Sequence, residues 1–217
     1  MRQIPLRIGP GPAPTLENFA PGANAAALAL LHERPLPSSV YLWGPAGAGK
    51  THLLRALAAA SAGPALSGPG AWEEGAALVL LDGCERYDAA QQHAAFALYV
   101  EAAAAGVPVV AAGRLPPVDL PLREDLRTRL GSGPVFALQP LSDEDTAAVL
   151  KREAAGRGIA LADEVLAYLL TRYARDLGSL MGLLDALDAF SLAEKRAVTV
   201  PLLKKMLAEQ AAQDLPA

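Results

Sequence analysis

Val40-Tyr41-Leu42-Trp43-Gly44-Pro45-Ala46-Gly47-Ala48-Gly49-Lys50-Thr51-His52-Leu53-Leu54 runs from an apolar tetrad, through a glycine-rich turn, into a leucine- and alanine-rich segment. The octet from Gly44 to Thr51 matches G-x-x-x-x-G-K-[ST], the phosphate-binding loop. Its flanks agree: the tetrad suits a buried strand, and leucines at 53, 54 and 57 form the apolar stripe of a helix. Glycines let backbone N–H groups curl around phosphate oxygens without interference from Cβ, and the helix start adds its positive dipole end. In that setting Lys50 reaches the β and γ phosphates and the Thr51 hydroxyl holds Mg²⁺. The expected ligand is a nucleoside triphosphate or diphosphate.

Working outward, residues 76–82 form an apolar run ending in Asp82, as a buried parallel strand delivering a carboxylate to the same metal would be. A brief strand is expected near Leu66, a third apolar strand over 107–112 and a fourth over 135–138. Helices are expected over about 24–33, 88–105 with Gly106 as its cap, and 120–130, the last carrying Arg123, Arg127 and Arg129. Strands alternating with helices specify a three-layer α/β domain with a parallel sheet. From Leu141 the pattern becomes helical throughout. Ser142-Asp143-Glu144-Asp145 reads as a capping box opening a helix to about Ala155, and helices over 162–174, 176–193 and 200–212 follow. The layout is that of AAA+ proteins: a phosphate-loop domain over 15–140 and a small all-helical lid over 141–217. Residues 1–14 read as a docking peptide and a Gly/Pro-rich tether, with Ile4, Leu6 and Ile8 alternating along an extended segment.

Composition narrows the function. Net charge is −4, with ten Lys/Arg against eleven Asp/Glu in residues 1–141 and nine against twelve in 142–217. That leaves no basic face for duplex DNA, so direct DNA binding is expected to be weak. No apolar run is long enough to span a membrane or serve as a signal peptide, and the single cysteine, Cys84, suits the cytosol. His32, His52 and His93 lack metal-ligand spacing.

Several segments together resemble the Hda family, DnaA-like AAA+ proteins that inactivate the replication initiator DnaA. They are Pro14-Thr15-Leu16-Glu17-Asn18-Phe19 with Gly22 and Asn24, Tyr41-Leu42-Trp43, Thr51-His52-Leu53-Leu54, Pro116-Pro117, Arg129-Leu130, and Gln139-Pro140-Leu141-Ser142-Asp143-Glu144-Asp145. Gln3-Ile4-Pro5-Leu6-Arg7-Ile8 is similar to the family's sliding-clamp-binding hexapeptide. The resemblance implies a negative regulator of replication initiation in the bacterial cytoplasm. Such a protein binds the DNA polymerase III sliding clamp (beta subunit) through Gln3, Ile4, Leu6 and Ile8, and stimulates hydrolysis of DnaA-bound ATP. It also implies ADP or ATP with Mg²⁺ at Gly44, Pro45, Ala46, Gly47, Ala48, Gly49, Lys50, Thr51, His52 and Asp82. Asn18 and Phe19 would lie beside the base and ribose, and Arg129 would be the arginine finger acting in trans.

Three positions lack polar groups expected of a self-sufficient ATPase: Gly83 after Asp82, Ala112-Gly113 at the third strand's end, and Gly178 at the lid's sensor position. Weak or absent intrinsic hydrolysis is expected, with Glu85 and Arg175 as the residues that could substitute. The competing reading is a stand-alone AAA+ ATPase, helicase-loader-like or DnaA-like, which should retain those groups.

Overall fold

The computed structural model describes residues 13–172 and 177–213. The apolar tetrad lies in β1 (Ser39–Trp43), whose alternation sends Val40 and Leu42 to one face and Tyr41 and Trp43 to the other. Both faces are covered, which is why the strand is apolar throughout. It is joined by β2 (Ala65–Ser67), β3 (Leu78–Leu81), β4 (Val109–Gly113) and β5 (Val135–Ala137) in a parallel sheet ordered β2-β3-β4-β1-β5.

Helices α1 (Ala25–His32) and α2 (Lys50–Ala60) cover one face, burying Leu31, Leu53 and Leu57 against Val40, Leu42, Leu80 and Val110. On the other, α3 (Ala89–Ala104) and α4 (Glu124–Leu130) bury Leu98, Leu126 and Leu130 against Tyr41, Val79, Leu81 and Ala111. The expected three-layer α/β architecture is present. Parallel connections bring the carboxyl ends of β1, β3 and β4 to one edge, where α/β sheets bind ligands.

Boundaries moved where local chemistry overrides the apolar pattern. The helix expected over 120–130 begins only at Glu124: a 3₁₀ turn (Pro117–Asp119) precedes it, and Arg123 is extended, its N–H donating to Gln92 Oε1 at 2.9 Å rather than entering a helix. The third strand starts at Val109 rather than 107, after Gly106 turns the chain at φ +70°. α3 carries a capping box that the reading missed: Gln91 N–H donates to Asp88 Oδ1 at 2.8 Å and Asp88 N–H donates to Gln91 Oε1 at 3.0 Å.

A second compact unit begins at Leu141. It contains α5 (Asp143–Gly156), α6 (Asp163–Arg172), α7 (Leu177–Glu194) and α8 (Val200–Gln213) around its own core of Leu150, Leu169, Leu180, Leu184, Leu187 and Leu203. Its first cap differs from a reciprocal box. Ser142 Oγ accepts from Asp145 N–H at 3.0 Å and donates to the Asp145 carboxylate at 2.8 Å, so that acid grips the hydroxyl rather than the Ser142 amide. Among the described residues no helix is long and apolar enough to cross a membrane.

Candidate functional site: a nucleotide cradle at the end of β1

β1 ends at Trp43 and the loop turns away at once, with positive φ at Gly44, Gly47 and Gly49 before α2 starts at Lys50. Two supports hold its entrance. Gly44 N–H donates to the Gly113 carbonyl at 3.2 Å, tying the loop to β4, and Leu138 N–H donates to the Trp43 carbonyl at 2.6 Å from the β5 side. The Leu138 carbonyl occupies the place a Gly44 side chain would take. β5's exit is itself clamped by buried Asn24, whose Nδ2 donates to the Gln139 carbonyl and whose Oδ1 accepts from Gln139 N–H, both at 2.8 Å. Two widely separated family-like segments thus meet through one bidentate amide, a pairing the sequence could not disclose.

The turn before α1 packs on the loop's far end. Thr15 and Asn18 exchange bonds, Thr15 N–H to Asn18 Oδ1 at 2.9 Å and Asn18 N–H to Thr15 Oγ1 at 3.1 Å, and Asn18 Nδ2 donates to the Ala13 carbonyl at 3.0 Å. Asn18 therefore shapes the turn, its amide taken up by backbone and by Thr15. The turn delivers Phe19 onto Gly49, where the ring lies in the space of a side chain; with φ at +88° besides, only glycine fits. His52 Nε2 lies 3.0 Å from the Thr15 carbonyl, to which it can donate, and its ring centroid stands 5.6 Å from that of Phe19. Asn18, Phe19 and His52 are thus brought together beside the loop, with Phe19 in contact with it.

Three groups line the phosphate side. Lys50 Nζ donates to the Gly44 and Pro45 carbonyls, each at 2.7 Å, and its half-buried ammonium has a lowered pKa, chiefly through desolvation, with Arg114 adding to the effect and Glu85 and Asp82 opposing it. A desolvated cation among oriented amides suits phosphate. Thr51 Oγ1 donates to Asp82 Oδ2 at 2.6 Å, so the hydroxyl and carboxylate named for Mg²⁺ are adjacent. Among the described residues no group of three or more His, Cys, Asp or Glu could cage a metal, so an ion here would be shared with phosphate oxygens and water. The glycine loop, Lys50 and the Thr51–Asp82 pair all fit a magnesium nucleotide.

The positions that lack polar groups have physical explanations. Ala112 is fully buried within the sheet, and a side chain at Gly113 would coincide with the Tyr41 hydroxyl and come within 3.1 Å of Glu85 Oε2. Glu85 accepts from Arg114 N–H at 3.0 Å and so closes the end of β4. At Gly83, φ +65°, the Arg86 guanidinium lies over the space of a side chain. Gly178 is the second residue of α7, while Arg175 lies outside the described residues, as do Gln3, Ile4, Leu6 and Ile8.

Arg129 sits at the sheet's other end. Its carbonyl accepts from Ser39 Oγ, at the start of β1, at 3.4 Å. One strand length, roughly 15 Å at 3.3 Å per residue, separates that point from the chain's own loop. Its side chain is exposed and lies over the rings of Phe96 and Tyr99.

Residues 143–207 match the family model described as the Hda lid domain. That segment is similar to an Hda lid. Over most of its length the chain is also similar in structure to domain III of the replication initiation protein DnaA from Thermotoga maritima. That comparison has 19% identity and a TM-score of 0.75, and covers 91% of this chain and 98% of the other. AMPPCP-bound DnaA from Aquifex aeolicus matches with 21% identity and a TM-score of 0.66, covering 84% of this chain and 68% of that one. The Thermotoga maritima RuvB Holliday junction branch migration motor matches with 18% identity and a TM-score of 0.63, covering 86% and 67%. At such identities the likeness establishes the fold, a DnaA-like AAA+ architecture. The family match is confined to the helical unit.

Proposed function

We propose that this protein is a negative regulator of replication initiation that binds an adenine nucleotide, docks on the sliding clamp and stimulates hydrolysis of DnaA-bound ATP. The observation that carries the reading is the exposed Arg129, without a carboxylate partner among the described residues and one strand length from its own phosphate loop, in a chain bearing an Hda lid. A guanidinium there serves a neighbour's triphosphate rather than its own. Such a group is worth about 10³–10⁵ in hydrolysis rate, so one residue suffices for the stimulation.

ADP or ATP with Mg²⁺ is held by Gly44 to Thr51 and Asp82, and the Phe19 ring bounds the side of the loop where a base would lie. Intrinsic turnover is weak, because β4's end is closed by Tyr41 and Glu85 and position 83 carries no acid. Gln3, Ile4, Leu6 and Ile8 form the clamp-binding peptide; Leu6 and Ile8 would each contribute about 1.5–3 kcal/mol on full burial, a modest affinity that a ring with two equivalent grooves raises by avidity. The protein acts in the bacterial cytoplasm.

The test is hydrolysis of DnaA-bound ATP on clamp-loaded DNA. Arg129→Ala should retain nucleotide and clamp binding and lose at least 10³-fold of the stimulation. Full stimulation by that variant would remove Arg129 from the mechanism.

A further inference from the structure

Phe96 lies on α3 and Arg129 on α4, and the fold puts them in contact. The Arg129 guanidinium carbon lies 5.4 Å from the Phe96 ring centroid and 5.7 Å from that of Tyr99. Phe96 and Tyr99 are three residues apart on α3 and project from one face. Tyr99, 5% exposed, also reaches the backbone of the same arginine: its hydroxyl pairs with Ser132 Oγ at 3.3 Å, and Ser132 Oγ donates to the Arg129 carbonyl at 2.7 Å. Both ends of Arg129 are thereby referenced to one buried side chain.

A neighbour supplies the contrast. Arg123 stands 5.1 Å from the same Phe96 centroid, yet its charge is paired with Asp125 at 2.7 Å and its Nη1 lies 3.0 Å from His93 Nδ1. Among the described residues Arg129 meets these rings and no carboxylate. An aromatic face attracts and orients a guanidinium without neutralising it, and leaves the N–H donors at its edge free. A carboxylate partner would occupy those donors and would have to be displaced before any phosphate could approach. Burial of the arginine stem against apolar surface is the purely structural alternative.

We propose that Phe96 and Tyr99 are positioning residues, an aromatic ledge that holds the Arg129 guanidinium unpaired and oriented for the triphosphate of a docked partner. The proposal rests on the reading of Arg129 as the trans-acting group. The ledge acts through orientation, so losing it lowers the maximal stimulated rate rather than the affinity for the partner.

Two measurements on the full chain test it. In the free protein, the Arg129 Nε–H proton resonance should carry a ring-current shift that shrinks to the Tyr99 contribution in Phe96→Leu and is restored in Phe96→Tyr. In the DnaA-ATP assay, Phe96→Leu should lower the maximal rate about five- to tenfold, corresponding to about 1–1.4 kcal/mol of barrier. The concentration for half-maximal stimulation and the melting temperature should stay unchanged, and Phe96→Tyr should restore the rate. Against an Arg129→Ala background, Phe96→Leu should do nothing further. An equal loss in both backgrounds, or one that follows the melting temperature, would make Phe96 a structural filler. Loss of stimulation in Arg129→Ala with none in Phe96→Leu refutes the ledge alone, whereas full stimulation by Arg129→Ala removes the ledge and the reading beneath it together.

Discussion

A methyl group added at Gly113 should destabilise the nucleotide-binding unit, and removing the Tyr41 hydroxyl should relieve much of the damage. Gly113 ends β4 in register with Trp43 of β1, and an alanine Cβ there would coincide with Tyr41 Oη, with Tyr41 Cζ at 3.3 Å. Tyr41 is fully buried and its hydroxyl donates to the Leu115 carbonyl at 3.1 Å, so the ring cannot yield without breaking that bond. Overpacking a sealed site costs about 1–3 kcal/mol. Losing the bond adds about 1 kcal/mol, so Gly113→Ala should cost about 2–4 kcal/mol. Tyr41→Phe alone loses the donor, at about 1–2 kcal/mol. In the double variant the methyl meets a ring edge instead of a hydroxyl, and its cost should fall short of the summed single costs by about 1–2 kcal/mol. Both tryptophans, Trp43 and Trp72, belong to this unit, so urea unfolding followed by their fluorescence reports on it. Additive costs, within about 0.5 kcal/mol, would refute the steric account of why β4 ends without a polar side chain.

Other outcomes follow from the site. Burial disfavours the Lys50 ammonium in the free protein while a phosphate favours it, so nucleotide affinity should be full at neutral pH. It should decline as pH rises through a range below the ordinary lysine value, a decline absent from Lys50→Ala, whose affinity is low throughout; calorimetric titration across pH checks this. Asp82→Asn should weaken nucleotide binding in Mg²⁺ but scarcely in EDTA, because the carboxylate bonded to Thr51 acts through the ion; equal weakening in both would contradict that role. Cys84 is buried and its thiol is pushed up to about 12, mainly by desolvation, so a thiol reagent at neutral pH should label it only at the rate of unfolding, and rapid labelling of native protein would show the β3 end to be open.

The phosphate loop was legible because it is a local device. Strand, glycines, lysine and helix are consecutive, and the chemistry of each residue type determines its role without help from distant chain. The same holds for the apolar strands, whose continuous hydrophobicity requires cover on both faces, and for Asp82, which follows its strand directly. Less legible were relations across the fold. Asn18, Phe19 and His52 were grouped by resemblance alone; the structure separates a turn-former, a ring resting on Gly49 and an imidazole bonded to Thr15. Arg123 and Arg129 stand on one short segment of the sequence, yet among the described residues one is paired with Asp125 and the other meets aromatic rings and no carboxylate.

By itself, then, the chain's order of residues determined a parallel α/β unit with a glycine loop between strand and helix, and a helical unit after Leu141, because continuous apolar runs, the 3.6-residue helical period and glycine's backbone freedom act over a few positions at a time. Tertiary structure alone decided that Asn24 clamps Gln139, that Tyr41 and Glu85 close the end of β4, and that Arg129 lies on Phe96 and Tyr99. Each of those joins residues that only packing of the sheet and its helices brings within a few ångströms, and no spacing along the chain encodes such a distance.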